Sequence, residues 1–502
     1  MTRYPPWRSD ASIRLLFSIA FAVALSQESL YFANQNTKYL HGAAAAGYGW
    51  LANDWMAHTI DPLPVFSVLV KWLFDLGVPE LSYAIFAALA VVWALSLTSI
   101  VRSAGLIQQQ RTHVVAFMAG LIVTQAVFAK WPRGLASQYL HDHYLQPGVF
   151  GVLLIAGIAR FLKGRTVSAI VLVVCASVVH SDYLPTTGVC ILAFVAGATE
   201  RAPRTWRRAV YETLLALALL APLSIQLRAL ATPTSPETWQ RALDILVAHI
   251  PEHTNVAQWF DSRAVARLAV MALGAGLARD RRLRFVMWSL LALIVGSMAV
   301  AVVFDSELVA AVTPWRASIL LMPLSIAVIV ARGVAWLVAR EPQREGRLLL
   351  GCASLAIAAA ALGTWRQAER WSDYAAAESM PPIRWIQAHN TRPELYLVPA
   401  HDSDFDRFRL ETGQPIVINW KTHPYKDIEL IEWSQRLQEV DRFYSAGSAD
   451  EACSQLGRLR DRYGASAVVY AVTHPISERH CPLIEESGRA GAYVIARLDA
   501  RR

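Results

Sequence analysis

Acidic residues after the first apolar segment have the types and spacing for chemistry at a membrane surface. Glu28 follows that segment directly, and Asp54 and Asp61 stand seven residues apart among aromatic residues and prolines. If this stretch is helical, the spacing amounts to two turns and both carboxylates face the same way. Such a pair can hold a divalent cation against a phosphate, or one member can act as a general base. Alternatively, Asp54 caps a surface helix that Trp55 anchors in the interface.

Polar side chains that can bind a sugar, a phosphate or a metal recur in the later loops. They are His141, Asp142, His143, Gln146, His180, Asp182, His253 and Arg316. A His-x-His pair with a neighbouring aspartate can bind a transition metal, but hydrogen bonds to a sugar or a diphosphate explain these residues equally well. Arg316 can pair with a lipid phosphate or anchor the interface beside Trp315. Because each residue alone can be an ordinary solvated side chain, the hypothesis depends on their grouping.

Membrane helices are the elements that must position these residues. The chain has 502 residues, of which 55% are hydrophobic and 17% charged, and its apolar residues are grouped in blocks. This pattern predicts a mainly α, polytopic membrane helix bundle with about eleven transmembrane helices. The predicted segments are residues 13–26, 81–101, 114–129, 147–162, 167–179, 185–198, 210–227, 265–278, 285–304, 319–338 and 348–365.

The distribution of Lys and Arg predicts the orientation of these helices. With a cytoplasmic N-terminus, the inner segments contain 19 Lys and Arg residues and the outer loops contain 8. Basic residues are retained in short cytoplasmic loops, which explains the net charge of +8 without a nucleic-acid partner. The polar candidates then all lie in outer loops or at outer helix ends. The sequence therefore predicts a bacterial inner-membrane protein with its candidate site at the periplasmic face.

The orientation depends on the apolar run at residues 65–76. This run has about a dozen residues and is interrupted by Lys71, so we interpret it as an interfacial or re-entrant helix and not as a span. Counting it as a span would place Arg102 and Arg111 outside. The predicted transmembrane domain covers residues 1–365 and has a long first outer loop at 27–80.

Residues 366–502 have the composition of a soluble domain. Charged residues mix with β-like runs at 395–398, 416–420, 467–472 and 493–498, and with helix-like stretches at 427–443 and 450–463. The second stretch opens with Ser448 and Glu451, a capping-box pattern. Strands that alternate with helices indicate a C-terminal α/β domain, which the odd number of spans places in the periplasm. Cys453 and Cys481 can pair in that oxidising compartment, although the sequence does not show their separation.

A basic and aromatic cluster follows the predicted strand at 416–420. It contains Lys421, His423, Tyr425 and Lys426. Ligands bind open α/β sheets beyond the carboxyl ends of the strands, so Lys421 and His423 can hold an anionic acceptor or a diphosphate. The same cluster can instead dock the domain onto the outer loops, which is the alternative that we prefer.

In its predicted topology the chain resembles the GT-C superfamily of membrane glycosyltransferases. The shared features are a cytoplasmic N-terminus, a long acidic first outer loop, many spans and a terminal periplasmic domain. The resemblance implies that a sugar passes from a polyprenyl-phosphate carrier to an acceptor, with an Asp or Glu of the first loop as base. Many of those enzymes have an Asp-Glu pair after the first span, where this chain reads Gln27-Glu28 and keeps one carboxylate.

Several short motifs resemble a bacterial family of multi-pass membrane proteins of unassigned activity. These motifs lie at residues 53–55, 146–148, 314–318, 408–413 and 419–427. This second resemblance supports the fold and the topology, and it implies no reaction.

Two functions of different classes follow as hypotheses. In the first, the chain is a glycosyltransferase in which Asp54 or Glu28 is the base, Asp61 aids a cation or the acceptor, and Arg316 binds the lipid phosphate. The remaining candidates would contact substrate: His141, His143, Gln146, His180, His253, Lys421 and His423. The expected partners are the lipid bilayer and a polyprenyl-phosphate-linked sugar, and a divalent cation is the cofactor that the acidic residues suggest. In the second, a non-catalytic subunit binds or moves a lipid-linked glycan, but the spans contain few of the charged residues that transporters usually place there.

Overall fold

The computed structural model describes residues 6–197, 206–340, 342–389 and 391–499. The first helices are α1 (Pro6–Ala24), α2 (Asn34–Lys38), α3 (Leu40–Ala45), α4 (Pro64–Asp75), α5 (Leu81–Ser103), α6 (Arg111–Leu121), α7 (Val152–Leu162), α8 (Thr166–Val179), α9 (Leu184–Gly197) and α10 (Trp206–Ala231). They are followed by α11 (Pro236–His249), α12 (Pro251–Thr254), α13 (Val256–Trp259), α14 (Ser262–Leu277), α15 (Arg281–Val303), α16 (Glu307–Val312), α17 (Ser318–Arg340) and α18 (Glu345–Ala376). The C-terminal elements are α19 (Met380–His389), β1 (Tyr396–Leu397), α20 (Phe408–Thr412), α21 (Asp427–Tyr444), α22 (Ala449–Tyr463), β2 (Ala467–Ala471), β3 (Ile484–Ala490) and β4 (Tyr493–Leu498).

The chain forms two compact units, each assembled from separate stretches of sequence. The helical unit contains Met1–Gln27, Ser82–Ile225 and Val247–Ala368. The mixed unit contains Glu28–Leu81, Gln226–Leu246 and Glu369–Arg502. The long loop after α1 therefore folds together with the C-terminal part of the chain.

Apolar helices dominate the helical unit, and all eleven predicted apolar segments lie on helices for most of their length. Residue 198, at the end of the sixth segment, lies outside the described residues. Within the described ranges, five helical segments are long and apolar enough to cross a membrane: Leu81–Ser103, Trp206–Ala231, Arg281–Val303, Glu307–Arg340 and Glu345–Ala376. The others are shorter. At a rise of about 1.5 Å per residue, the 14 residues of α8 extend about 21 Å, less than the hydrocarbon core of about 30 Å. The structure thus supports a multi-pass membrane protein with five candidate spans, and not the full predicted count.

Helix α4 corresponds to the apolar run that the sequence excludes from the spans. It has 12 residues, too few to cross a bilayer. Its faces differ, since Phe66 and Val70 are buried whereas Val68 and Trp72 are exposed. Such a short amphipathic helix fits the interfacial interpretation.

The mixed unit is built around a four-stranded sheet with the order β1-β2-β4-β3. Strands β1 and β2 are parallel, and the other two pairs are antiparallel. Helices α19 and α20 pack on this sheet and bury Ile383 and Phe408 against Val469 and Ile495. The predicted strands at 467–472 and 493–498 and the helices at 427–443 and 450–463 are confirmed as β2, β4, α21 and α22. The predicted cap is also present, because the Glu451 N–H donates to Ser448 Oγ at 3.3 Å.

The predicted strand at 416–420 is wrong. Ile416 forms a single bridge with Tyr396, and its N–H donates to the carboxylate of Asp54 at 3.0 Å. The bridge itself is made by the Val417 N–H, which donates to the Tyr396 carbonyl at 2.9 Å, and by the Tyr396 N–H, which donates to the Pro415 carbonyl at 3.0 Å. The Ile416 amide points away from β1, and the pairing does not extend beyond this one bridge. The structure adds β3, whose polar sequence around Gly488 lacks the apolar alternation that predicts a strand.

Candidate functional site

A guanidinium, a carboxylate and an imidazole meet in the helical unit. Arg316 lies on a 3-10 helix just before α17, Asp182 lies on another between α8 and α9, and the two side chains form an ion pair. Nε2 of His180 is 3.8 Å from Oδ2 of Asp182. The side chain of Arg316 is 20% exposed and that of Asp182 is 40% exposed. An arginine in this setting can exchange a carboxylate partner for a phosphate, which offers the same two-oxygen geometry.

The backbone around Arg316 is strongly constrained. Thr313 has a φ of 48°, an unusual left-handed conformation for a β-branched residue. Trp315 is fully buried, with its ring 5.7 Å from that of Trp259. Ser318 Oγ, at the start of α17, accepts a hydrogen bond from the Leu135 N–H at 2.8 Å. These contacts fix the segment that presents the guanidinium.

The turn after Gln146 packs beside the same cluster. The Tyr183 hydroxyl donates to the carbonyl of Gly148, and its ring centroid is 5.1 Å from that of His180. A Cβ at Gly151 would lie 2.6 Å from the Tyr183 hydroxyl, so a larger residue does not fit there. Gln146 is 7% exposed at the entry to this turn. The motif at 146–148 is thus part of the surroundings of His180.

The two histidines of the preceding loop have different environments. His141 packs edge-on against Trp93 and Phe86, at centroid distances of 5.0 and 6.1 Å. Both of its ring nitrogens are buried without a hydrogen-bond partner in the described part of the chain. Burial, followed by the nearby His143, lowers the pKa of His141 to about 3, so its ring is neutral. His143 instead places Nδ1 at 2.7 Å from the carbonyl of Leu25.

Metal binding by these side chains stays a prediction. Across residues 6–197, 206–340, 342–389 and 391–499, no three His, Cys, Asp or Glu side chains come together as a possible metal site. His180 and Asp182 are a pair, and His253 lies half-buried on α12.

Asp54 is enclosed in the mixed unit. Its carboxylate accepts hydrogen bonds from Arg409 Nε at 2.6 Å and from an Arg409 terminal nitrogen at 3.2 Å. The main-chain N–H groups of Met56 and Ile416 add bonds of 2.9 and 3.0 Å. With four donors and no exposed surface, Asp54 has the surroundings of a structural residue. It also caps the 3-10 helix Trp55–His58, as in the capping alternative.

Arg409 continues this buried network. One of its terminal nitrogens donates to Asn419 Oδ1 at 2.9 Å, and Asn419 Nδ2 donates to Asp406 Oδ1 at 3.0 Å. Burial raises the pKa of Asp406 to about 6, although Asn419 and the charges of Lys421 and Arg409 oppose the rise. The motifs at 53–55, 408–413 and 419–427 contain Asp54, Arg409 and Asn419, but they do not reveal that these residues are partners.

Asp61 lies on a tightly held segment of the mixed unit. The Ile60 N–H donates to both carboxylate oxygens of Glu429, at 3.0 and 3.2 Å, and Gln226 Nε2 donates to the carbonyl of the next proline at 2.8 Å. Asp61 itself accepts from the Leu63 N–H at 2.8 Å. The 3-10 helix Trp55–His58 has only four residues and ends before Asp61, so the premise that placed Asp54 and Asp61 on one helix face does not hold.

Glu28 forms an ion pair with Arg370 of the same unit, at 3.1 Å. The side chains are 13% and 24% exposed, so this carboxylate also has a cationic partner.

The segment at 421–427 contacts the loop after α1. Thr422 and Thr37 share a hydrogen bond of 3.1 Å between their hydroxyl groups, and Lys38 Nζ donates to the Tyr425 hydroxyl at 3.2 Å. The His423 ring lies 5.0 Å from that of Tyr425. These are contacts of the kind that the docking alternative requires, and the strand that placed Lys421 and His423 at a sheet edge is absent.

Comparison with known families matches a short part of the chain. Residues 377–440 match a domain of unknown function, DUF6798. No curated protein matches this chain. The matched region contains Arg409, Asn419 and the segment at 421–427. It includes two of the motifs that resemble a family of unassigned activity. The match carries no glycosyltransferase assignment.

Proposed function

We propose that the protein is a membrane glycosyltransferase of the GT-C type, which transfers a sugar from a polyprenyl-phosphate donor to an acceptor at the periplasmic face. The observation that carries this proposal is the partly exposed ion pair of Arg316 and Asp182 beside His180. Arg316 precedes α17, which belongs to a candidate span, so a phosphate bound there would be joined to a lipid chain beside apolar helices.

The donor phosphate replaces Asp182 as the partner of Arg316. Asp182 is then free to accept the proton of the acceptor hydroxyl, whose oxygen attacks the anomeric carbon of the sugar. The bond between that carbon and the phosphate oxygen breaks with inversion, and polyprenyl phosphate leaves. Arg316 stabilises the charge that develops on the leaving phosphate. His180 Nε2, 3.8 Å from the Asp182 carboxylate, is a second polar group beside the base.

Asp182 takes the role of base in place of the carboxylates that the sequence suggested. Asp54 has four hydrogen-bond donors and no exposed surface, and Glu28 is paired with Arg370. Asp61 keeps its predicted role of aiding a cation or the acceptor, and Glu28 stays a predicted alternative for the base.

The test uses the purified full-length protein and a panel of polyprenyl-phosphate sugars, with donor binding and release of polyprenyl phosphate measured separately. Asp182→Asn is expected to abolish transfer and to keep donor binding. Arg316→Lys keeps the charge but loses the planar fork, so kcat/KM should fall about 10- to 100-fold. Glu252→Gln, which neutralises an exposed carboxylate outside the cluster, is the matched control and should leave transfer unchanged.

The two function classes give different results in this assay. Donor that is bound but never consumed, equally by the wild type and Asp182→Asn, would favour the non-catalytic binding or transport function. Absence of both binding and turnover with every donor would overturn the proposal.

A further inference from the structure

We propose that Arg14 in α1, Arg102 in the last turn of α5 and Arg111 at the start of α6 form a binding site for a phosphate group, as carried by an anionic phospholipid or by inorganic phosphate. They belong to the helical unit and line one cleft. The lining residues are Asp10, Ile13, Arg14, Arg102, Arg111 and Val114. Three guanidinium groups and one carboxylate give this small cleft an excess of positive charge.

The arginines lack acidic partners of their own. Among the described residues, none of the three forms an ion pair, and Arg14 Nε donates only to the main-chain carbonyl of Asp10, at 3.2 Å. Arg102 makes one long contact, 3.5 Å, to the side chain of Gln109, and its buried Nε has no hydrogen-bond partner among the residues that the structure describes. Buried donors are nearly always satisfied in folded proteins, so this atom indicates a missing acceptor.

More positive charge surrounds the cleft. Burial lowers the pKa of Lys163, and the charges of Arg160, Arg102, Arg165 and Arg14 lower it further, in that order. These electrostatic interactions place the basic residues after α7 close to those of α1 and α5. Retention of basic residues in inner loops accounts for their number but not for their convergence on one cleft.

The adjoining surface suits the phosphate of a lipid. Ile13, which lines the cleft, also packs against the apolar cluster of Val115 and Ala116 on α6. Leu15 and Leu16 on α1 are exposed, at 48% and 64%. A charged cleft that continues into apolar helix faces can bind the head group and the acyl chains of one anionic lipid.

The experiment measures ligands retained by the full-length protein in native mass spectrometry, after incubation with phosphatidylglycerol, with phosphatidylcholine or with inorganic phosphate. The wild type should retain phosphatidylglycerol and not phosphatidylcholine. Arg102→Gln and Arg111→Gln should each reduce retention about 10-fold, as expected for loss of a charge-assisted hydrogen bond. Arg284→Gln removes the same charge from an exposed residue that does not line the cleft, and should change nothing.

Comparing phosphatidylglycerol with inorganic phosphate shows whether the site binds a lipid or the phosphate group alone. Arginine-dependent binding of phosphatidylglycerol alone would identify the lipid, whereas similar binding of inorganic phosphate would show that the phosphate group suffices. Should Arg102→Gln fail to fold, Arg111→Gln is informative alone, because Arg111 is exposed at the first residue of α6. Equal retention of every ligand by the wild type and both variants would overturn the proposal.

Discussion

Arg409 and Asp54, 355 residues apart in the sequence, form a buried ion pair in the mixed unit. The guanidinium bonds both oxygens of the carboxylate, at 2.6 and 3.2 Å, and neither side chain is more than 1% exposed. This pair joins the loop after α1 to the C-terminal region within one folded unit.

Asp54→Asn is expected to destabilise the protein. The substitution leaves the Arg409 charge buried without its counter-ion, which typically costs about 3–5 kcal/mol. The thermal midpoint of the purified protein in detergent measures this effect. Arg479→Gln is the control, because its pair with Asp450 is 73% and 80% exposed and should contribute about 0–1 kcal/mol. A variant with the wild-type midpoint but without activity would instead support Asp54 as the catalytic base.

Asp406 should make the stability of the mixed unit depend on pH. Its pKa is raised from 3.8 to about 6 by burial, so the folded state favours the neutral acid. The contribution of Asp406 to the free energy of unfolding is fully present below about pH 4 and is lost as the pH rises through about 6. The difference corresponds to at most about 3 kcal/mol. Asp406→Asn, which stays neutral, should therefore flatten the dependence and gain stability relative to the wild type at pH 7.

Unfolding measured between pH 4 and 8 tests this prediction. Asp450→Asn is a suitable comparison, since that side chain is 80% exposed. Parallel curves for the wild type and Asp406→Asn would contradict the assignment.

The cysteine pair that the sequence left open is a disulfide between Cys453 and Cys481. It closes a separation of 28 residues, and its loss should destabilise the folded state by about 3.5 kcal/mol in the chain-entropy description. Cys453→Ser and treatment with reductant should lower the thermal midpoint by similar amounts.

Thiol labelling in intact membranes checks the oxidation state in cells. Cys453 and Cys481 should react with a maleimide only after reduction, which would also agree with the predicted oxidising compartment. Cys175→Ser controls for the exposed free thiol. Labelling of both paired cysteines without reductant would show that the bond does not form in cells.

Local sequence patterns predicted the elements better than they predicted how those elements pair. The apolar segments became helices, and the capping pattern of Ser448 marked the start of α22, because periodicity and caps act within a few residues. The strand expected at 416–420 is reduced to a single bridge at Ile416, whose amide bonds Asp54, 362 residues away. No local pattern contains that information.

The candidate site also depends on contacts between residues that are distant in the sequence. Asp182 and Arg316 both belonged to the polar set, but their ion pair spans 134 residues and no periodicity relates them. The seven-residue spacing to Asp61 instead favoured Asp54 as a catalytic residue. A carboxylate can serve equally as a catalytic base or as a buried partner of an arginine. The partner that favours the structural role is Arg409, a distant residue that only the fold brings close.

Gly49 approaches Gly413 closely, and Gly47, two residues earlier, provides a control for substitutions at Gly49. In the mixed unit, the Trp50 N–H donates to the carbonyl of Gly413 at 2.7 Å, and a Cβ on Gly49 would lie 2.4 Å from that oxygen. Gly47 and Gly49 both have positive φ, at 73° and 54°, but nothing lies within 4 Å of a Cβ on Gly47. Comparing substitutions at Gly47 and Gly49 therefore separates the cost of a steric clash from the cost of backbone strain.

Gly47→Ala should cost about 1–2 kcal/mol, the usual cost of an L-residue in a left-handed conformation. Gly49→Ala should cost about 1–3 kcal/mol more, because its methyl group meets backbone atoms that cannot rotate away. Thermal midpoints of the two variants in detergent measure the difference, and limited proteolysis of the loop after α1 should be faster in Gly49→Ala. Equal losses of the midpoint in both variants would show that the close approach of Gly49 to Gly413 adds no steric cost to the backbone strain.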